Sequence, residues 1–597
     1  MSERGGQTAF EPLVGVWVAL GALTIAFHLW LVLSGLTPNL VARPLHMALA
    51  VPWVVLYGRR PTLSGFVLTA AGLGACLYIA WNHSALGDQY GMLFGTTQYV
   101  VAFVLLGVVL EMARRAIGWP LPLVALLALL YAFFGEYIPG EFGHAGLPTA
   151  SLLGTLTVAE GGLWGQLTGI SVSVVAVFVI FGAMLNAGEA GQGFMNVAAA
   201  AAGRLKAGAA KVSVIASALF GSISGSASAN VASTGAITLP AMRKLGYPRS
   251  LAGAVEAVAS SGGQIMPPLM GAGAFVMVEL TGIPYATIML AALVPALLYF
   301  FAVWVGIDAF TTRHTLAGLP RDAWPSRNTV IITSAFFLVP FTVLLWGMFG
   351  QGVTPQYAAF WAIVAAALLL LIDGNLTFDV RKAAGRVVRA CLVAGQQVAM
   401  IAAIILCASI VIGVLGLTGL GVKVTSLILS GSGGMLWPAL LLTAVACLIL
   451  GMEVPTTAAY VICVSVAGPA LMELGLEPLQ AHLFVFWYAL LSTITPPVCG
   501  AVFIAAGMVE ERWLKVAVSA MGLGVGLYLI PLAMVANPDL IALGSSPLGA
   551  ILAGLKTAAG LALVSIGAIA KRHPLLRIGL AALGLVVILL PMSMLGG

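Results

Sequence analysis

The sequence predicts an all-α polytopic membrane protein with about 15 transmembrane helices plus two re-entrant helical hairpins in an inverted repeat. Three observations predict this fold. Of the 597 residues, 61% are apolar and 8% are charged, and the mean hydropathy is +1.08. Apolar runs of membrane-spanning length recur along the chain, and one pattern of helix-breaking residues returns at a fixed offset. No soluble core could absorb so much apolar surface, so a soluble nucleic-acid-binding protein is excluded.

Fifteen apolar runs have roughly the 17 to 25 residues that a bilayer crossing requires. In chain order they are 12–33, 38–57, 62–81, 92–110, 119–137, 168–188, 250–281, 285–307, 329–349, 355–372, 391–416, 479–507, 514–535, 548–570 and 575–594. Lys and Arg concentrate in alternate loops, as the positive-inside rule requires of cytoplasmic loops. This pattern predicts a cytoplasmic N-terminus and an external C-terminus.

Two further apolar stretches, 208–245 and 435–474, are too long for one crossing. The sequences "GSISGSASAN" and "GMEVPTTAAY" interrupt them in the middle. Each flank is about half a bilayer long at roughly 1.5 Å per helical residue, so we interpret each stretch as a re-entrant hairpin. The tip of such a hairpin is tolerated at mid-membrane only where it is buried in protein or lines a watery cavity.

Self-comparison shows that the breaker pattern occurs twice. An ungapped shift of 229 residues places "LPAMRKLGYP" on "GPALMELGLE" and "IMPPLMGA" on "ITPPVCGA". Five crossings separate the two units, and because five is odd the second unit must be inverted. The base of the first hairpin carries Lys and Arg, whereas the second has Glu473, Glu477 and His482. We therefore expect the hairpins to enter from opposite sides, with their tips near the midplane.

Each unit offers two interruptions, a hairpin tip and a broken helix. Unwound carbonyls and Ser, Thr and Asn oxygens suit a small cation such as Na⁺, whereas half-helix N-termini suit a carboxylate. The candidate cation ligands are Ser224, Ser226, Asn230, Ser261, Gly263, Glu453, Thr456, Thr457, Ser492 and Thr495. The candidate substrate-binding residues are Gly225, Ser226, Gln264, Pro268, Pro455, Thr456 and Pro497.

Close helix packing is the alternative explanation for each Ser and Gly cluster taken alone, but four clusters placed by one repeat favour a site. Glu256 and Glu453 are candidate proton or charge sites, because ionisable groups inside a membrane are functional by default. Glu256 fits a salt-bridged structural role equally well. No HExxH, paired-Asp or nucleophile–base pattern occurs, so we predict no catalytic residue and no cofactor, and a membrane-embedded enzyme is the least favoured class.

The stretch "ALFGSISGSASANVASTGAITLPAMRKLGYPRSLAGAVEAVASSGGQIMPPLMGAGAF" closely resembles the large membrane subunit of tripartite ATP-independent periplasmic (TRAP) transporters, specifically the TAXI subtype. The similarity runs from about Gly169 to Met534, and the first four crossings look like the small TRAP subunit fused to the large one. The resemblance implies an elevator-type fold, similar to the ion-transporter superfamily, in the inner membrane of a bacterium or archaeon.

The resemblance also implies a symporter that imports an organic acid from a separate periplasmic TAXI-type solute-binding protein. Na⁺ is the expected coupling ion and H⁺ the alternative; a Walker A motif for ATP is absent from the sequence. A second hypothesis is an ion-coupled anion symporter that needs no binding protein. The lipid bilayer is an expected partner and nucleic acid is not.

Six segments follow from the crossings, the repeat and the resemblance together. They are a four-helix scaffold resembling the small subunit (1–118), a connecting helix and loop (119–167), transport repeat 1 with the cytoplasmic hairpin (168–307), linking helices (308–390), transport repeat 2 with the periplasmic hairpin (391–536) and a two-helix extension (537–597).

Overall fold

The computed structural model describes residues 14–35, 37–59, 62–314, 316–452 and 455–592. Throughout these ranges the regular structure is helical, apart from one isolated bridge between Ile372 and Phe378. The prediction of an all-α polytopic membrane protein is therefore confirmed.

Within the described ranges, nine helices are long and apolar enough to cross a membrane, or ten if one pair bent by 64° at residue 524 is a single span. The predicted count of about 15 is not confirmed. The difference arises because some predicted crossings, such as 38–57 and 575–594, contain helices of only 17 and 16 residues. Others, such as 250–281 and 479–507, are interrupted helices.

The chain divides into two compact units. Unit 1 spans Met1–Ala190 and Phe336–Lys423, and unit 2 spans Gly191–Ala335 and Val424–Gly597. This division differs from the six predicted segments, because the first helix of each predicted repeat belongs to unit 1.

The described helices of unit 1 range from 3 to 39 residues. Its helical elements are Val14–Ser34, Asn39–Val55, Leu63–Trp81, His83–Gly87, Gly95–Ile117, Pro120–Phe134, Gly135–Tyr137, Thr149–Thr157, Gln166–Ile170, Ser171–Val175, Ala176–Ala187, Trp346–Gly350, Pro355–Leu369 and Val380–Thr418. Three further helices, Ala190–Ala202, Arg327–Leu345 and Leu420–Gly431, run across the unit boundaries in the chain.

The longest helix, Val380–Thr418, begins eleven residues before the apolar run predicted at 391–416. Asp379 caps its start, since its carboxylate accepts the backbone N–H groups of Arg381 and Lys382 at 2.9 and 3.2 Å. The first turns carry four basic residues, so hydropathy alone does not detect them as part of the helix.

Unit 2 contains the hairpin and the interrupted helix of each repeat. Hairpin 1 consists of Gly208–Ser224 and Ala227–Lys244, and hairpin 2 of Leu436–Leu450 and Thr456–Glu473. Interrupted helix 1 consists of Arg249–Gly262, a 3₁₀ turn at Gly263–Ile265 and Gly271–Thr281; interrupted helix 2 consists of Pro478–Leu491, a 3₁₀ turn at Ser492–Ile494 and Gly500–Val509. The remaining elements are Tyr285–Phe310, Arg321–Ala323, Trp513–Leu523, Val525–Tyr528, Ile530–Ala536, Pro538–Ile541, Pro547–Ile569 and Pro574–Leu589.

The predicted repeat is present in the backbone. The 229-residue shift carries Ala227–Lys244 onto Thr456–Glu473 and Arg249–Gly262 onto Pro478–Leu491 without any change of bounds, and the two 3₁₀ turns coincide as well. In both interrupted helices the peptide bond between the paired prolines that follow the turn is cis.

The hairpin arms are longer than predicted. The second arm has 18 residues in both hairpins, about 27 Å at 1.5 Å per residue, so the estimate of half a bilayer per flank is wrong for these arms. In hairpin 1 only Gly225 and Ser226 are non-helical, because Ser226 caps the second arm and lets the helix start at Ala227. Re-entrance of the hairpins remains a prediction.

Candidate functional site

The tip of hairpin 1 is a two-residue reversal. Gly225 adopts left-handed backbone geometry, with a φ of +61°, and its N–H donates to the carbonyl oxygen of Gly221 at 3.2 Å. Ser226 then caps the second arm, since its Oγ accepts the backbone N–H of Ala229 at 3.3 Å. Glycine supplies the left-handed conformation without the steric strain that a Cβ would add, and serine supplies the cap. The candidate residue Ser224 ends the first arm beside them.

Hairpin 1 packs closely against both sides of the break in interrupted helix 1. A Cβ placed on Gly263 would lie 2.5 Å from the Cα of Gly221, and one placed on Gly225 would lie 2.9 Å from the Cα of Gly271. No real side chain tolerates such distances, so two glycine pairs are what allow the backbones to meet. The predicted tip residue Gly225 therefore contacts interrupted helix 1 at Gly271, and the predicted turn residue Gly263 contacts hairpin 1 at Gly221.

The buried side chain of Asn230 connects hairpin 1 to interrupted helix 1 beside this contact. The side chain is fully buried, and its Nδ2 donates to the carbonyl oxygens of Ser217 at 2.9 Å and Ser260 at 3.3 Å. The amide therefore joins both arms of hairpin 1 to interrupted helix 1. Since the nitrogen is used in this bridge, only Oδ1 is available as a cation ligand.

The second repeat has the same contact with different residues. The Oγ of Ser492, which occupies the repeat position of Gly263, lies 3.0 Å from the carbonyl oxygen of Gly451 and 2.6 Å from that of Ala489. The end of the first arm of hairpin 2 therefore meets the turn of interrupted helix 2. Pro455 precedes the second arm, and Thr456 at its start is buried while Thr457 is half-buried. Glu453 lies outside the described residues.

The two interrupted helices also touch each other within unit 2. The hydroxyl groups of Ser261 and Thr493 lie 2.8 Å apart. Two residues further along the chain, the hydroxyl of Thr495 lies 2.7 Å both from the carbonyl oxygen of Leu491 and from the hydroxyl of Tyr528. The four predicted interruptions thus form one connected group: hairpin 1 touches interrupted helix 1, which touches interrupted helix 2, which touches hairpin 2.

The predicted substrate-binding residues differ in their burial and in whether their polar groups already have hydrogen-bond partners. Gln264 is 4% exposed, and its buried Nε2 has no hydrogen-bond partner among the described residues. The carbonyl oxygen of Pro268, in contrast, accepts a hydrogen bond from the hydroxyl of Tyr285. Pro497 is exposed. Gln264 is therefore the member of this set with a free buried donor.

Glu256 lies at the centre of a hydroxyl cluster, which we call the Glu256 cage. The carboxylate is fully buried and forms no ion pair with the described residues, so the salt-bridged alternative lacks support there. Five hydroxyl groups surround its oxygens, from Ser213 at 2.7 Å, Ser260 at 3.3 Å, Ser217 at 3.4 Å, and Thr234 and Thr238 in short contacts.

Sequence reasoning predicted Glu256 but missed the cage. The signal that could have found it is a spacing of four residues on each of three helices, at 213 and 217, 234 and 238, and 256 and 260, since residues four apart share one helix face. At the repeat-equivalent positions in the second unit the residues are Leu442, Ala446, Cys463, Ala467, Val485 and Ala489. The cage is therefore a feature of repeat 1 alone.

The fold and the site define a polytopic helical membrane protein whose four helix interruptions converge within one compact unit, an arrangement typical of secondary transporters. Residues 103–548 match the family model described as "Tripartite ATP-independent periplasmic transporter, DctM component". The chain belongs to this family. The match begins inside the fourth predicted crossing, so residues 1–102 lie outside it.

Curated relatives agree with the family match. The chain is 25% identical to the C4-dicarboxylate TRAP transporter large permease protein DctM of Pseudomonas aeruginosa, over 56% of this chain and 76% of the relative. It is 23% identical to the ectoine/5-hydroxyectoine TRAP transporter large permease protein UehC of Ruegeria pomeroyi, over 66% and 90%. It is 25% identical to the isethionate TRAP transporter permease protein DctMQ of Oleidesulfovibrio alaskensis, over 69% and 64%.

This membership answers the coarse functional questions. The protein is a TRAP transporter permease in the inner membrane, with several membrane crossings, and the prediction that it is not an enzyme is confirmed by relatives that are named as permeases. A permease of this family works with a periplasmic solute-binding protein and a small-molecule substrate.

Proposed function

We propose that this chain is the permease of a TAXI-type TRAP symporter, which receives an organic acid from a separate periplasmic TAXI-type solute-binding protein and imports it with an inward Na⁺ gradient. The single observation that carries the proposal is the convergence of all four interruptions within unit 2. A secondary transporter binds substrate and coupling ion where broken helices meet near the midplane, and these four meet through direct backbone and hydroxyl contacts.

The donor set at the interruptions fits Na⁺. Hard monovalent cations prefer neutral and anionic oxygen ligands, and the interruptions provide hydroxyls and carbonyls at Ser226, Ser261, Ser492 and Thr495 together with the Oδ1 of Asn230. The carbonyl of Gly451 is held toward Ser492. We assign the cation to this group of oxygens, and Glu453 to the same group by its place in the sequence.

The substrate carboxylate is assigned to the helix starts at the two tips. The second arms of hairpins 1 and 2 begin at Ala227 and Thr456, where free backbone N–H groups and the positive end of the helix dipole favour an anion. Gln264 adds a buried amide donor beside the hairpin 1 tip that no described residue satisfies. These groups would hold a carboxylate without requiring a buried Lys or Arg.

Further parts of the proposal concern the whole chain. Residues 1–118 serve as a scaffold that resembles a fused small subunit, and the two transport repeats move as an elevator. The N-terminus is cytoplasmic and the C-terminus is external. The positive-inside pattern of the loops supports the orientation. The division into two compact units supports a scaffold separate from a transport unit.

Uptake into proteoliposomes tests the proposal. The chain is reconstituted with and without the TAXI-type binding protein, and substrate-loaded binding protein is added under a Na⁺ gradient, a pH gradient or neither. We expect uptake only when the binding protein and the Na⁺ gradient are both present. Uptake without the binding protein would favour the anion symporter hypothesis, and uptake driven by the pH gradient alone would replace Na⁺ by H⁺ as the coupling ion.

A further inference from the structure

We propose that the Glu256 cage is a proton-binding site, in which Glu256 takes up and releases one proton during each transport cycle in addition to any cation held at the tips. This inference rests on the proposed transport function and names a second coupling site for it. Along the second arm of hairpin 1, the cage lies one helical turn further from the tip than Asn230, because Thr234 follows Asn230 by four residues.

The hydroxyl geometry allows Glu256 to exist in two protonation states. The hydroxyl of Thr234 contacts both a carboxylate oxygen and the carbonyl oxygen of Asn230, the latter at 2.8 Å. The hydroxyl of Thr238 likewise contacts the other carboxylate oxygen and the carbonyl oxygen of Thr234, the latter at 3.0 Å. Each threonine has two acceptors but only one hydrogen.

This mismatch is what makes the cage a switch. When Glu256 is ionised, both threonines donate to the carboxylate, which stabilises the buried charge without a counter-ion. When a proton arrives from water, a new O–H bond forms on one carboxylate oxygen, and that hydroxyl donates to a threonine oxygen. The threonine hydrogen then turns to the backbone carbonyl. Neither state leaves a buried donor or acceptor unpaired, and no heavy atom has to move.

A purely structural cluster would not need this arrangement. In repeat 2 the six corresponding positions carry apolar residues or cysteine, and the corresponding three helices pack there without a carboxyl group at these positions. The packing of three helices in this fold therefore does not require a hydroxyl cage around a carboxyl group. A buried carboxyl group retained in one repeat, with hydroxyls that satisfy both of its forms, favours a role in proton exchange.

The charged neighbours do not fix Glu256 in one state. On the segment Arg249–Gly262, which carries Glu256, and on the elements packed against it, the other titratable groups are Lys211, Arg243, Lys244, Arg249, Tyr285, Tyr299, Asp308, His482, Tyr488 and Lys515. None of the Lys, Arg or His residues among them forms an ion pair with Glu256. Lys211 pairs with Asp308 at 2.7 Å, and Arg243 and Arg249 pair with Glu510 at 3.4 and 3.6 Å.

The proton site is coupled to the tip through Asn230. Thr234 contacts Asn230 and Glu256, while Asn230 binds the carbonyls of Ser217 and Ser260 beside the glycine contact between hairpin 1 and interrupted helix 1. When the Thr234 hydrogen turns from Glu256 to the carbonyl oxygen of Asn230, that carbonyl accepts an additional hydrogen bond, which changes the bonding of the helix turn that carries Asn230. We infer that protonation of Glu256 biases how tightly the tip is held.

Infrared spectroscopy of the full chain in lipid vesicles tests the proton site directly, because the C=O band of a carboxylic acid is distinct from carboxylate bands. In wild type we expect a pH titration to convert the carboxylate bands of Glu256 into the carboxylic acid C=O band and back. The matched control Glu279→Gln removes an exposed carboxyl group and should keep this Glu256 signal. Glu256→Gln should lose it. An unchanged titration in Glu256→Gln would overturn the proposal. A response to Na⁺ at constant pH that requires Glu256 would make the occupant of the cage a metal cation instead.

Transport then tests the role of the site. With the Na⁺ gradient held constant, the increase in uptake caused by an added inward proton gradient should fall about tenfold in Glu256→Gln, within the usual range of coupling between two sites, while substrate exchange without a gradient persists and Glu256→Asp restores the increase. Loss of exchange together with uptake in both variants would indicate a structural role and overturn the proposal. If wild type transports nothing, the proposed function fails, while the infrared titration still decides whether Glu256 binds a proton.

Discussion

The glycine contact at the tip of hairpin 1 gives a quantitative test of the site. Gly225 has a φ of +61°, and a Cβ on it would lie 2.9 Å from the Cα of Gly271. The change Gly225→Ala therefore has two effects. The methyl group strains the left-handed backbone of the tip, and it also separates the tip from interrupted helix 1.

A matched control separates these effects. Gly282 ends the helix Gly271–Thr281 with nearly the same conformation, a φ of +67°, but a Cβ there would have no heavy atom within 4 Å. The left-handed conformation costs an alanine about 1–2 kcal/mol at either position. Overpacking against Gly271 adds about 1–3 kcal/mol at Gly225 only. That difference corresponds to roughly 5- to 150-fold in the equilibrium between a docked and an undocked tip.

The assay is initial uptake of substrate from the binding protein into proteoliposomes, normalised to the amount of folded permease. We expect Gly225→Ala to reduce uptake by a factor in that range and Gly282→Ala to leave it near wild type. Thermal unfolding in detergent reports the backbone strain in both variants, and the overpacking should add a further loss of stability in Gly225→Ala only. Equal losses of uptake in the two variants would refute the argument, because they would show that the tip contact has no special role in transport.

Three further outcomes follow from the geometry. Ser226→Leu should abolish uptake while the protein stays folded, whereas Ser226→Ala removes only the helix cap and should destabilise the protein by about 1 kcal/mol. Wild-type uptake by the Leu variant would instead indicate that the motif serves only helix packing. Ser261→Ala and Thr493→Val should show a coupling energy of about 0.5–1.5 kcal/mol in a double-mutant cycle for unfolding, and independent effects would contradict the contact. Hydrogen bonds from Thr377 hold the pKa of Asp373, in a loop, well below its usual range. The resulting stabilisation is present above the unfolded pKa of about 4 and is lost as pH falls, so an acid titration of thermal stability should be flatter in Asp373→Asn than in wild type.

The repeat could be predicted because helix breakers act locally. Clusters of proline and glycine disfavour a helix through their own backbone geometry, so the 229-residue shift found in the sequence reproduces the bounds of the second arms and of the first halves of the interrupted helices. The extent of each interruption could not be predicted in the same way. At hairpin 1, a ten-residue stretch rich in Gly and Ser suggested a long break, but the Ser226 cap confines it to two residues.

The site was predicted as a set of chain positions and not as a set of contacts. The candidate residues at the tips and turns do converge, but Asn230 uses its amide nitrogen as a structural bridge and Pro268 uses its carbonyl to bind Tyr285. The Glu256 cage escaped notice because it depends on the approach of three helices. The spacing of four residues marks a polar face on each helix, but tertiary packing decides which of these faces meet.

The most direct test of the central claim, that the four interruptions form one cation site, is Na⁺-dependent stabilisation of the purified permease. Thermal unfolding is compared in Na⁺ and K⁺ at equal ionic strength, in wild type and in Ser226→Leu. At a hundred times its dissociation constant, Na⁺ should stabilise wild type by about 2.7 kcal/mol and have a much smaller effect on the variant. Identical unfolding midpoints of wild type in the two salts would contradict the claim.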